Sequence, residues 1–498
     1  MTTLIRAAVL SGFVLLGASN ARADEWRALD TSEFKMIGNV SERTFRRVAT
    51  SINAYKYILK LSIPALDINT PVRPRVLLLK RASFEKYVQP RENVRGFVFS
   101  KGIEIDIVID ATDDGMASAT QIALHELTHY YLHNAANFVV PVWYDEGLAD
   151  FLSTIDVDGN ILTMGKPPLS RWYSVQHLSW MPIAAVVGVR RGSPEYSSHK
   201  GALSFYAESW LMLHFANIGA KKWLPATLNL VRSADAGLSP SEAIQKAFNN
   251  EFADYERQLR SYSRETQMSY ARFERPRIAS DSVAVEQIPE PTGLTELALA
   301  MQRTHRDPAT IEKLLTPHTA DPDNLRAAAA LAITLNMTDH ESQVPPIAER
   351  CRATDDAETA TLCGRAILAP FAHAGGQQAD ALRAAQGARV MFERAIRLDP
   401  NRFDAFHANV RTYQILEDSA AAFTSLLEAA VRKNPRAVEL RVDLAGFYSR
   451  SGRHAAARAE LERAVLDSTE VEIRDSLMRL LRDVENAEAA VEQGAKSH

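Results

Sequence analysis

Residues 119–132 read ATQIALHELTHYYL, and the decision rests on its centre, His125-Glu126-Leu127-Thr128-His129. This is the H-E-x-x-H pattern, set in a run whose apolar positions have helical spacing. Two histidines four apart differ by about 40° around a helix and by roughly 6 Å along it, so both rings reach one ion. By the same geometry Glu126 stands about 100° round from His125, which suits it to hold a water beside the ion rather than the ion itself. Zinc accepts such nitrogen ligands and, with one position left open, acidifies its water towards a pKa near 7. The pattern carries this meaning only with a helix around it and a third ligand nearby.

Moving toward the C-terminus, residues 143–150 read WYDEGLAD and put Glu146 and Asp150 on one helix face at i, i+4. A glutamate in this position completes a zinc shell. An aspartate one turn later accepts the other N–H of a ligating imidazole and fixes its tautomer. Taken alone, the same stretch also reads as a solvated acidic helix start, with Asp145 and Glu146 near its N-terminus. A metzincin would continue H-x-x-G-x-x-H, but Leu132 and Ala135 occupy the glycine and histidine positions. His133 lies two turns from His125, too far for all three histidines to share an ion, and reads as an exposed or capping residue.

Toward the N-terminus, residues 34–38 (FKMIG) and 76–80 (VLLLK) read as short strands, with helical spacing over 41–61 between them. Residues 97–100 (FVFS) follow, then 102–110 (GIEIDIVID), whose alternation is that of a half-buried strand. A small sheet followed by helices defines an α+β domain. The last of these strands is placed to take an extended peptide as an added strand. Residues 186–200 (VVGVRRGSPEYSSHK) read as a surface loop or a mobile flap.

Residues 275–293 carry three prolines and little periodicity, the marks of a linker. Beyond it the chain is alanine-rich and repeats. Tyr448, Ala457, Leu461 and Ala464 align with Tyr413, Ala422, Leu426 and Ala429, and Ala388, Phe392, Ala395 and Pro400 extend the series. This is the spacing with which a tetratricopeptide repeat of about 34 residues packs two antiparallel helices; a generic helical bundle is the alternative. Pro400 and Pro435 sit at repeat ends, 35 positions apart, and Pro322 lies in a similar Asp-Pro turn, so a divergent earlier repeat fills 292–368.

The 498 residues exceed what one core supports and predict two or three domains. Hydrophobic content of 46% and charged content of 24% are those of a globular protein. A net charge of −4 with no lysine- or arginine-rich run argues against a nucleic-acid partner. One cation in residues 1–6, an apolar run at 7–17 and Ala21-Arg22-Ala23 before Asp24 predict a cleaved secretory signal. A buried N-terminal helix is the alternative. The run is shorter than the roughly 20 residues a bilayer span needs, no later segment is apolar enough to cross, and no cysteine there would take a lipid. Cys351 and Cys363 either pair in an oxidising compartment or remain as packed thiols.

With these motifs in view, the chain resembles the gluzincin peptidases, and within them the bacterial peptidase-MA-like domain often fused to tetratricopeptide repeats. The resemblance rests on HELTH at 125–129, WYDEGLADF at 143–151, YAESWLMLHF at 206–215, the strand–helix–strand lead-in and NEFADYERQLRSYS at 250–263, and spans about residues 25–264. It implies His125, His129 and Glu146 as ligands of one zinc ion per chain, with Glu126 as the catalytic base. Asp150 stands behind a ligand. Tyr206 is implied as a hydroxyl donor to the tetrahedral oxyanion, or else as a ring packed under the site.

The resulting expectation is an α+β protein with four parts. They are a signal peptide (1–23), a gluzincin-like catalytic domain of small sheet and active-site helices (24–270), a linker (271–293) and an all-α tetratricopeptide-like repeat domain (294–495). It would be a periplasmic or secreted zinc metallopeptidase acting on a peptide or protein substrate. The repeats would bind that substrate or an envelope protein partner, with no membrane span. The rival expectations are a catalytically inactive zinc-binding scaffold acting through its repeats, and a hydrolase of non-peptide amides.

Overall fold

The structure, a computed structural model, describes residues 25–496 apart from 63–71, 89–94, 102–103, 113–117, 136–139, 198, 275–283, 303–306, 320, 322, 338–346, 372–378, 418–420, 434, 436 and 469–470. The signal-like stretch and Pro322 lie outside the described residues.

Among the described residues nine strands form two sheets: β1 (Trp26–Asp30), β2 (Lys35–Gly38), β3 (Arg75–Leu79), β4 (Gly96–Lys101), β5 (Glu104–Asp110), β6 (Asp156–Asp158), β7 (Ile161–Met164), β8 (Ala271–Glu274) and β9 (Glu286–Ile288). The larger sheet runs β4-β5-β3-β2-β1-β9 and the smaller β6-β7-β8. Strands β2, β3 and β5 are parallel; β4 pairs antiparallel with β5, β1 antiparallel with β2, and β9 antiparallel with β1. Every residue of β3 is buried, as expected of a parallel strand covered on both faces. Side chains alternate across a strand. Val76 and Leu78 therefore enter one core with the helices Glu42–Ser62 and Ala119–Ala135, while Leu77 and Leu79 enter a second core.

That second core is built by helices from beyond residue 290, including Glu290–Gln302 and Leu325–Leu335. The segment read as a linker is accordingly no free tether. Its β8 pairs with β7, and its β9 pairs with β1 at the sheet edge. Short strands without periodicity leave no pattern to read, and edge positions tolerate them. Gly293 then brings its helix against Trp26, where an added Cβ would lie 2.1 Å from the indole ring.

Strand β5 also departs from expectation. It is interior, between β4 and β3, so its backbone is already paired on both sides and cannot take a peptide; the edge on its side of the sheet is β4. Nor is its polar face solvated. Asp106 is fully buried and receives the Arg75 guanidinium, with Nη2 at 2.9 Å. The other arm of Arg75 reaches Glu296 at 2.7 Å. Glu296 also takes Arg326 at 2.6 Å, and Glu358 collects Arg326, Arg402 and Lys35 at 3.2, 3.3 and 3.5 Å. A chain of alternating charge thus ties the sheet to the helices covering it.

Helical pairs follow: Phe403–Ile415 with Ala421–Lys433, and Val438–Arg450 with His454–Asp467. The residues buried at equivalent places are Ala388, Phe392 and Ala395, then Phe423, Leu427 and Ala430, then Ala457, Leu461 and Ala464. The expected middle set of Ala422, Leu426 and Ala429 is off by one, and Leu426 is 46% exposed. Phe423 follows Tyr413 by 10 positions where Ala457 follows Tyr448 by 9, which shifts the register. Phe423 instead stacks on Tyr413, with ring centroids 4.2 Å apart. Cys351 and Cys363 are disulfide-bonded, their Cα atoms 5.9 Å apart. Among the described residues no helix is long and apolar enough to cross a membrane.

Arg75→Ala withdraws the guanidinium from two buried carboxylates, a class of change that costs about 3–5 kcal/mol. Denaturant unfolding followed by tryptophan fluorescence should place its midpoint well below that of the parent chain. An unchanged midpoint would show that the junction does not depend on this pair.

Candidate metal centre

The helix Ala119–Ala135 starts at a reciprocal cap. The Gln121 N–H donates to Ser118 Oγ (3.2 Å), and the Ser118 N–H donates to Gln121 Oε1 (2.9 Å), which is the capping-box geometry. Its partner, the helix Val142–Ser153, is buried from Trp143 to its end. Gly147 permits that burial, since a Cβ there would come within 2.5 Å of the Ser209 carbonyl on the helix His199–His214. Three carboxylates, Asp145, Glu146 and Asp150, enter the interior on this one helix, and buried charges need partners.

The partners are the histidines. His125 Nε2 and His129 Nε2 are 3.2 Å apart, and Glu146 Oε2 lies 3.5 Å from the first and 3.4 Å from the second. The three ligating atoms form a small triangle able to hold one cation. Behind it, His125 Nδ1 donates to Asp150 (3.1 Å) and His129 Nδ1 donates to Asp145 (2.6 Å). Both rings are thereby fixed with Nε2 inward. Arg171 braces Asp150 at 2.5 Å, and Arg191 braces Asp145 at 3.0 Å.

The electrostatics follow from this crowding. Burial alone would lower the His125 imidazole, but its bonds to Asp150 and Glu146 outweigh it and raise the group to about 9. His129 is raised further by Asp145 and Glu146 against the same opposing burial. Burial would raise the Asp145 and Glu146 carboxyls, yet the facing imidazoles hold both far below the usual range.

The structure brings together His125, His129, Glu146 and Asp150, and places Glu126 beside them on the same helix, half-buried and near enough to raise His125. It differs at three other positions. His133 is neither exposed nor a cap: it is half-buried, and its Nε2 bonds Asp145 at 2.8 Å. One helical turn separates it from His129, so the same carboxylate reaches both rings. Asp145, read only as part of an acidic helix start, is the residue that holds His129. The Tyr206 hydroxyl does not point freely into the site; it bonds the Tyr196 hydroxyl, and its ring lies 4.8 Å from the Arg171 guanidinium carbon. Tyr196 itself donates to Glu146 Oε1 at 3.0 Å. Its position in an aperiodic stretch gave no sign of this.

Residues 415–478 match the family model for the tetratricopeptide repeat. This end of the chain is thus a repeat architecture of stacked helical pairs, one that presents a surface to protein partners. The match does not reach the helices that carry the histidines and carboxylates. No curated protein matches the chain. Among solved structures, the chain is similar to a thermophilic tetratricopeptide-repeat protein of Thermus thermophilus, at 16% identity and a TM-score of 0.30, over 39% of this chain and 98% of that one. It is also similar to the human IFIT1 dimer with PPP-AAAA, at 14% identity and a TM-score of 0.28, over 66% and 70% of the two chains.

Two residues beyond Tyr206, the buried Glu208 accepts the Met181 N–H at 2.7 Å. Burial raises its carboxyl from 4.5 to about 7. The folded chain therefore binds more protons than the unfolded one between those values, and stability falls as pH rises through that window. Glu208→Gln removes this term. Its melting temperature should fall less than the parent's between pH 5 and pH 8, and parallel curves would exclude Glu208 as the source.

Proposed function

We propose that the chain is an exported, zinc-dependent metallopeptidase of the gluzincin type, with repeats that bind its substrate or a partner protein. The observation that carries this reading is the triangle of His125 Nε2, His129 Nε2 and Glu146 Oε2, with sides of 3.2 to 3.5 Å. A tetrahedral shell with zinc–ligand bonds of about 2.0–2.1 Å has edges of roughly 3.3 Å, so these donors suit that ion without rearrangement. Two nitrogens and one oxygen from protein also leave a fourth position open, as in catalytic rather than structural sites.

When bound, zinc supplies Lewis acidity toward a peptide carbonyl and lowers the pKa of a water to near 7. The Glu126 carboxylate takes the proton of the attacking water and passes it to the leaving amine. Asp145 and Asp150 keep the two imidazoles in the tautomer that leaves Nε2 free. Arg171 and Arg191 offset the charge of those aspartates. Export is supported by the signal-like first 23 residues and by the disulfide, a bond of oxidising compartments. The repeat match alone favours a second reading, a zinc-bound scaffold that binds proteins and cleaves nothing.

Elemental analysis of the mature protein should find about one zinc per chain, lost in His129→Ala and in Glu146→Ala. Glu126→Gln should keep the metal and lose about 10²- to 10⁴-fold in hydrolysis of a peptide library. Zinc absent after reconstitution, or retained in both ligand variants, would sink the site. Zinc present with no peptide cleaved by the parent chain would favour the scaffold.

A further inference from the structure

Glu146 divides its two oxygens between different tasks. Oε2 faces the two imidazoles, whereas Oε1 accepts the Tyr196 hydroxyl at 3.0 Å. Tyr196 comes from the short turn of helix Pro194–Ser197 and is itself held from several sides. Its ring meets Phe205 edge-on at 6.1 Å between centroids and lies against Tyr206 at 5.9 Å. The Tyr206 hydroxyl bonds its hydroxyl. Five residues earlier, Arg191 reaches Asp145 Oδ2 at 3.0 Å. The stretch from Arg191 to Tyr196 is thus fastened to two consecutive acidic residues, one that orients a histidine and one that faces both.

We propose that Tyr196 is a positioning residue of the metal centre, engaging Glu146 Oε1 so that the glutamate offers one oxygen and a coordination position stays open. The inference rests on the zinc reading above and deepens it. A carboxylate can bind a cation through one oxygen or both. With both, Glu146 would fill the place that a catalytic zinc site keeps for water or substrate. A hydroxyl donated to Oε1 competes with that second bond and fixes the plane of the carboxylate. Outer partners of this kind typically change metal affinity by about 10- to 100-fold. Tyr196→Phe would keep the ring contacts with Phe205 and Tyr206 and lose both bonds of the hydroxyl, the one donated to Glu146 and the one shared with Tyr206.

The test compares the full-length parent, Tyr196→Phe and Tyr206→Phe. Zinc affinity is measured by competition with a chromogenic chelator, and the visible spectrum is recorded after loading with cobalt(II). Thermal unfolding without metal serves as the control. Tyr196→Phe should weaken zinc binding by about 10- to 100-fold and lower the cobalt absorption, as a second carboxylate oxygen raises the coordination number. Its metal-free melting temperature should match the parent's. Tyr206→Phe removes a bond to Tyr196 but leaves the Tyr196 bond to Glu146, so it should change affinity less than Tyr196→Phe and keep the parent's cobalt spectrum. Parental affinity in Tyr196→Phe overturns the inference, and so does weaker binding with an unaltered spectrum. A parent chain that binds neither zinc nor cobalt overturns the zinc reading and this inference with it.

Discussion

Strand β3 is apolar on both faces and lies at the centre of the larger sheet. That constraint governs the arrangement of everything around it. One face is covered by the helices that carry the histidine motif and its neighbours. Were the other face left open, Leu77, Leu79, Val108 and Ile37 would stand in water, at about 25 cal/mol for each Å² of apolar surface exposed. The helices beyond residue 290 cover it, so the sheet and the first repeat-like helices share one core. The two halves are therefore neighbours through a sheet and not through a tether. Residues 77 and 78 are adjacent in sequence yet serve different cores.

Such a shared core needs its register specified, because apolar contacts alone are non-directional. Arg75 supplies direction. Its guanidinium reaches Asp106 on the next strand and Glu296 on the covering helix, and the charges continue through Arg326 and Glu358 to Arg402. A buried ionic network is weak evidence for added stability, since replacing it with apolar residues is often neutral or better. Its consequence here is geometric. Sliding the helix by one turn would carry Glu296 away from Arg75 while the Arg75–Asp106 pair stayed in the sheet, whereas a purely apolar interface would accept the shift.

The same logic of buried charge organises the candidate centre, where much could be read from sequence. The helical period around His125 and His129 places both on one side. The i, i+4 spacing of Glu146 and Asp150 anticipates that the first meets both rings and the second stands behind one of them. Those relations are local, repeating within one or two turns, so they survive in the sequence pattern. The role of Asp145 does not. It depends on how two helices cross, and at the start of an acidic helix a carboxylate has an ordinary explanation. Tyr196 and Arg191 are less legible still, because they reach the centre from a stretch with no periodicity. The interior position of β5 and the one-residue offset at Phe423 were hidden for a related reason. Each is decided by a neighbouring strand or a turn length, and side-chain type carries little trace of either.

The two bracing aspartates are also not equivalent. Asp150 is engaged by His125 and Arg171, and Asp145 by His129, His133 and Arg191. Asp145 thus gathers groups from three places in the chain: two turns of one helix and the segment that carries Tyr196. His133 cannot join His125 and His129 around one ion, yet its bond to Asp145 limits how far that carboxylate can turn. The segment bearing Arg191 reaches Asp145 and, through Tyr196, Oε1 of Glu146. A displacement of it therefore disturbs the backing of one histidine and the bond to Oε1 of the glutamate together. A surface stretch that contacts two consecutive buried carboxylates has little freedom to act as an independent flap. It forms one wall of the centre.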